Sequence, residues 1–227
     1  VSIMPCTAKK FEKGRGNQNA AGVPDIDYAL TTRELAKLIK RSGIIFDELP
    51  DEDYDSPLGL FSGAGLIFGV TGGVMEAALR TVYEVVVGKP APSIDFNEVR
   101  GTEGIKEAEY DLNGKKVKVC VASGLANARK VMDDVRAGVS PYDFIEIMSC
   151  PGGCVNGGGQ PIKTAYERNN KDIRTIRAKS IYEQDANMTL RKSHENPAIQ
   201  QLYKDYLGEP NSHKAHEILH TSYVKRE

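Results

Sequence analysis

Five of the eight residues from Gly152 to Gly159 are glycine, and Cys150 and Cys154 stand at the start of that run. The segment reads Ser149-Cys150-Pro151-Gly152-Gly153-Cys154-Val155-Asn156-Gly157-Gly158-Gly159-Gln160-Pro161. Glycine loses more backbone freedom on folding than any other residue, so a plain connector gains nothing from five of them. Proline fixes one turn and glycine reaches positive φ, which lets both thiolates face a common point. The bare backbone would then leave amides open to anionic sulfur, as in a nest. The apolar run Phe144–Met148 before it reads as a strand, so the loop sits at a strand end. The expected fold wraps this loop around a large, soft, negatively charged object.

Met4-Pro5-Cys6-Thr7-Ala8-Lys9 repeats the theme after Val1-Ser2-Ile3-Met4, which has the form of a strand tail. That start is expected to be a cut inside a domain, with an ordinary processed terminus as the alternative. Thiolates at strand ends commonly hold iron–sulfur clusters. Zinc is the rival, but structural zinc sites favour Cys-x-x-Cys knuckles, and neither motif has that form.

Between the motifs, residues 7–30 read as a loop. Thr31 and Glu34 form a capping box for a helix that carries Leu35, Leu38 and Ile39 and stops at Gly43. Asp47 to Asp55 holds six acidic residues in nine positions and reads as a solvated loop. Gly63-Ala64-Gly65 lacks the preceding strand of a dinucleotide fingerprint, so its glycines are expected in a loop passing close to a ligand or another element. From Val74 onward the pattern is a helix with Val74, Ala77, Ala78, Leu79, Val82 and Val85 on its apolar side. Asn113-Gly114 joins strands Ile105 to Asp111 and Lys115 to Ala122 in a hairpin. A helix from about Ala126 to Val135 then precedes the strand Phe144–Met148. Strand, helix, strand predicts an α/β layer with parallel pairing. Beyond Thr164 the chain becomes helical and charged.

Composition removes several classes. Lysine and arginine total 30 against 31 aspartates and glutamates, which leaves no positive excess for nucleic-acid phosphates. No apolar run approaches the roughly 18–20 residues of a membrane span, and the start carries no secretory signal. Four cysteines are too few for a disulfide scaffold. Cytoplasm is the expected compartment, with the periplasm left open.

Met4 to Glu12 and Ile147 to Pro161 resemble the second and third signature motifs of the iron-only (FeFe) hydrogenases. Gly63 to Arg80 and Arg191 to Tyr203 are also similar to family segments, so the resemblance covers nearly the whole chain. It implies one lobe of a two-lobed domain, a mainly parallel sheet flanked by helices, over 1–165, with a helical extension over 166–227. It implies an H-cluster: a 4Fe–4S cubane joined through cysteine to a diiron subsite bearing CO, cyanide and a bridging dithiolate. Cys6 and Cys150 match cubane ligands, and Cys154 matches the ligand that also bridges to the diiron unit. Lys9 matches the lysine that hydrogen-bonds an iron-bound cyanide, and Met4, Phe68 and Met148 match residues packed around that unit. The implied reaction is reversible splitting of dihydrogen into protons and electrons, with a partner such as ferredoxin or accessory iron–sulfur domains carrying the electrons. Ser149 departs from the more usual alanine. The family's first motif, with the fourth cubane cysteine and a proton-relay cysteine, is expected upstream in the missing lobe, so this polypeptide alone is expected to be inactive.

The remaining features have plainer expectations. Cys120 reads as a buried strand cysteine and Glu12 as a solvated glutamate, with a proton path as its alternative. His213, His216 and His220 read as an exposed amphipathic helix, and Arg174, Arg177 and Lys179 as solvated surface. A non-catalytic relative of sensory or iron–sulfur-assembly type is the alternative to the enzyme, and Lys9 with both intact motifs favours the enzyme.

Overall fold

The computed structural model describes residues 1–19 and 22–223. The chain forms two compact units, one of Val1–Leu60, Gly158–Pro161 and Pro197–Glu227, the other of Phe61–Gly157 and Ile162–Asn196.

In the first unit, strand β1 (Ser2–Met4) leads through a one-turn helix α1 (Lys9–Glu12) and a loop to strand β2 (Ala29–Thr31). The strands pair in parallel, with Ser2 opposite Ala29 and Met4 opposite Thr31. Both α1 and β2 fall where the sequence reads as loop, because elements this short carry no periodicity and β2 exists through its pairing with β1. Helix α2 (Thr32–Arg41) starts at the expected capping box, with the Thr31 hydroxyl and Glu34 carboxylate each accepting from the other's amide. Lys10 ties α1 to this corner, donating to the Glu34 carboxylate at 2.9 Å and to Ala29 O at 3.2 Å. That ammonium, with the Thr31 amide and hydroxyl, holds the Glu34 carboxyl down to about 2. The acidic stretch from Asp47 to Asp55 is exposed, as its charge requires. The helix His213–Leu219 buries Ala215 and leaves His213 and His216 in solvent, with His220 exposed just beyond it.

In the second unit, helices α3 (Gly63–Ile67) and α4 (Gly73–Val87) precede strands β3 (Ile105–Leu112) and β4 (Lys115–Ser123), helix α5 (Leu125–Arg136) and strand β5 (Phe144–Met148). Helices α6 (Ala165–Asn170) and α7 (Ile173–Asn187) follow. The sheet order is β3-β4-β5, antiparallel across the hairpin and parallel from β4 to β5. Asn113 and Gly114 both take positive φ at the hairpin turn, the conformation that an Asn-Gly pair favours. Central strand β4 is buried on both faces. Val119 and Val121 join Met75, Leu79, Phe96 and Val99, while Cys120 and Ala122 pack with Val131 of α5. Burial raises the Cys120 thiol to about 11, so it is a small hydrophobe as expected.

Two readings of the glycine-rich stretch change. Gly63-Ala64-Gly65 is helical, with Ser62 as N-cap, and Gly63 is needed because a Cβ there would lie 2.0 Å from Asp185 Oδ1. The inward face of α4 is also rotated from the expected one: Val82 and Val85 are exposed, whereas Glu76 and Arg80 are fully buried. Burial of those charges is tolerated because each is paired. Arg80 donates to Glu76 and, through two nitrogens, to Asp185, each at 2.8 Å. Arg100 and Arg191 close the network on Glu76, Asp95 and Asp185.

Candidate metal centre

Each unit carries one of the two cysteine motifs. In the first, β1 delivers Met4, Pro5 and Cys6 at its end, and α1 begins at Lys9, whose ammonium pairs with Glu12 one turn on. Glu12 stays partly exposed in this pair. The glycine run returns to this unit: Gly159 N donates to Pro5 O at 3.2 Å, and a Cβ on Gly159 would lie 2.8 Å from Cys6 N. A Cβ on Gly158 would stand 3.0 Å from Thr7 Oγ1. Gly159 serves close approach to the Pro5–Cys6 backbone, and Gly158 leaves room for the Thr7 side chain.

In the second unit, β5 ends at Met148 and the chain turns through Cys150, Pro151, Gly152, Gly153 and Cys154. Gly152 has φ +86° and Gly153 φ +98°, and Gly153 N closes the turn on Cys150 O at 2.9 Å. The turn lies flat on the segment between α3 and α4. Thr71 N donates to Gly152 O, Val155 N donates to Gly69 O, and a Cβ on Gly153 would come within 2.7 Å of Thr71 N. From β4, the Ser123 hydroxyl accepts from Gly152 N at 2.8 Å. Phe68 caps α3 beside this segment and is 46% exposed; Met148 is half-buried.

The expected nest of open amides is not what the turn provides. Amides of Gly152, Gly153, Val155, Asn156, Gly157 and Gly159 all bond within the protein. They shape the turn. Two residues read as solvated surface also serve it. Arg177 donates to Val155 O at 2.9 Å, and the Arg174 side chain packs against Gly152. Their i, i+3 spacing on α7 is the signal that places both on one face. Lys179 is exposed, as expected.

The donor set suits a cluster. None of Cys6, Cys150 and Cys154 is in a disulfide, and all three are partly exposed. Beneath the turn, the fully buried Thr71 Oγ1 has no hydrogen-bond partner in the protein, a polar group left over under the cysteine turn. A second group, Glu84, His194 and Glu195, brings ligand atoms within 4.8 Å of one another. Lys192 already bridges both carboxylates, at 2.8 and 2.9 Å, so this trio is a closed ion-pair cluster.

Residues 1–158 match the family described as iron only hydrogenase large subunit, C-terminal domain. The chain belongs to the iron-only hydrogenase family. Residues 171–226 match the iron hydrogenase small subunit. The NADP-reducing hydrogenase subunit HndD of Solidesulfovibrio fructosivorans is 49% identical over 227 residues, all of this chain and 38% of that protein. The solved [FeFe]-hydrogenase HydA1 from Chlamydomonas reinhardtii superposes with a TM-score of 0.76 at 44% identity, covering 99% of this chain and 62% of that one. Protein NAR1 of Arabidopsis thaliana is a weaker relative, 31% identical over 238 residues, 98% of this chain and 49% of that protein. The hydrogenase fold is α/β as expected, and no helix among the described residues is long and apolar enough to cross a membrane.

Proposed function

We propose that this chain is the C-terminal part of an FeFe hydrogenase H-cluster domain, with a lobe over 1–165 and a helical extension over 166–227. Cys6 and Cys150 would hold a 4Fe–4S cubane, and Cys154 would hold it while bridging to a diiron subsite bearing CO, cyanide and a dithiolate. When bound, that group supplies an open iron site for reversible oxidation of dihydrogen and an electron route through the cubane. The protein's part is to hold, orient and dry it. Lys9 offers a cationic donor to an anionic cyanide. Met4, Phe68 and Met148 would pack around the diiron unit and exclude water from it. The rest of the whole protein supplies the fourth cubane cysteine and the proton relay, and a ferredoxin-like carrier takes the electrons in the cytoplasm.

One observation carries the reading. In the direct continuation of the Cys150–Cys154 turn, Gly159 is seated on the backbone of Pro5 and Cys6, and Gly158 lies against the Thr7 side chain. The chain that directly follows the third motif thus packs on the second. The second reading is a non-catalytic iron–sulfur relative of sensory or assembly type, and similarity to the cytosolic Fe-S cluster assembly factor narfl of Xenopus tropicalis supports it. Loading the full-length protein with iron, sulfide and a synthetic diiron cofactor, then measuring hydrogen by gas chromatography, separates the two. Hydrogen formation is expected; none from a fully loaded protein establishes the second reading.

A further inference from the structure

Behind the Cys150–Cys154 turn lies a buried cation that the hydrogenase motifs do not include. Lys106 of β3 is 6% exposed, and its ammonium donates to Thr71 O at 3.0 Å and to Gly101 O at 2.8 Å. Thr71 in turn donates its own amide to Gly152 O at 3.2 Å, so one residue of backbone stands between the ammonium and the turn. The packing leaves no slack: a Cβ on Gly72 would lie 3.3 Å from Lys106 Nζ and 1.8 Å from Val99 O. Glu146 of β5, itself 6% exposed, is the nearby buried counter-charge, and its carboxylate accepts from Gly72 N and Met75 N, each at 2.7 Å. Glu103 is the other acidic group acting on Lys106.

We propose that Lys106 is a positioning residue for charge, whose buried ammonium behind the cysteine turn favours the reduced state of the cubane held there. This rests on the function proposed above. Thiolate-held clusters are anionic and gain one further negative charge on reduction, and a fixed cation in a dry, low-dielectric setting stabilises that charge far more than one in water. The couple is a one-electron transfer from an external reductant such as dithionite, with no bond made or broken at Lys106. Burial holds the Lys106 ammonium down to about 8, still cationic at neutral pH. Two backbone carbonyls and no direct carboxylate contact leave its field less cancelled than that of Arg80.

The test uses the full-length protein loaded with iron and sulfide alone, and follows the cubane by electron paramagnetic resonance during a redox titration at neutral pH. Lys106→Met is expected to lower the reduced-to-oxidised ratio at a fixed potential about tenfold, equal to about 59 mV for one electron. Lys106→Arg is expected to stay near wild type. Lys106→Gln, which keeps a polar group facing Thr71 O and Gly101 O without the charge, is expected to shift the ratio the same way as the methionine variant, and it decides the matter if that variant does not fold. A cubane whose ratio ignores these substitutions, or shifts against these signs, overturns the inference and leaves the proposed function standing. Failure of the wild type to form any cubane overturns that function and this inference with it.

Discussion

Gly153 has φ +98° and no room for a side chain, because a Cβ would press on the Thr71 amide and on Gly69 O, at 2.7 and 2.9 Å. Backbone atoms of the α3–α4 segment cannot rotate away as a flexible side chain would. Gly153→Ala therefore combines left-handed strain with a backbone clash, and is expected to cost about 3 kcal/mol of unfolding free energy, measured by urea titration. The cysteines behave differently under substitution. Cys150→Ser changes little in the apoprotein, since the turn is closed by backbone bonds from Gly153 to Cys150 and from Gly157 to Cys154. The expected outcome is near-wild-type urea stability before loading and a marked loss of bound iron after it, read by metal analysis.

Among the elements, α7 is held to the rest of its unit by charge as well as by Ala178, Ile181 and Tyr182. Asp185 of α7 accepts from Arg80 of α4 and from Arg191, and its carboxylate fills the space opposite Gly63 of α3. Asp185→Asn keeps the shape but removes a fully buried negative charge that faces two arginines. Breaking such a pair from one side is expected to destabilise by about 3–5 kcal/mol, again by urea unfolding. Nothing in the spacing of α4 announces this, and that marks the limit of pattern reading. The hairpin at Asn113-Gly114 and the capping box at Thr31 were legible because their chemistry is local. The motifs around Cys6 and Cys150 were legible because proline, glycine and cysteine have few other reasons to stand together. By contrast, β2 depends on a partner 27 residues away in register. Arg80, Arg174 and Arg177 resemble surface residues until tertiary packing supplies Asp185 and the glycine turn. Charged side chains are read as solvated from sequence, and only a folded partner reverses that expectation.

At the scale of the whole molecule, the chain spans 38% of the HndD relative's length, so its global stability is the property most directly tied to the residues present here. Lys106 offers a pH test of that stability with a definite sign. Burial lowers its ammonium from 10.5 to about 8 in the folded state, with Glu146 and Glu103 opposing the shift. Below pH 8 folded and unfolded chains both carry the proton, and the buried ammonium costs its full desolvation. Between pH 8 and 10.5 the unfolded chain binds a proton that the folded chain has released, so raising pH through that window favours folding. A shift of this size corresponds to about 3 kcal/mol by pH 10.5. Lys116 and Lys192 act in the opposite direction, because hydrogen bonds to Glu109 and Glu84 raise their pKa values and that stabilisation fades as they deprotonate. The measurement is therefore a difference: unfolding free energy of the wild type minus that of Lys106→Met, by urea titration from pH 7 to 10.5. That difference is expected to be flat up to about pH 8 and then to rise. A flat difference across the whole range would mean that the ammonium is solvated, and not the buried cation behind the cysteine turn.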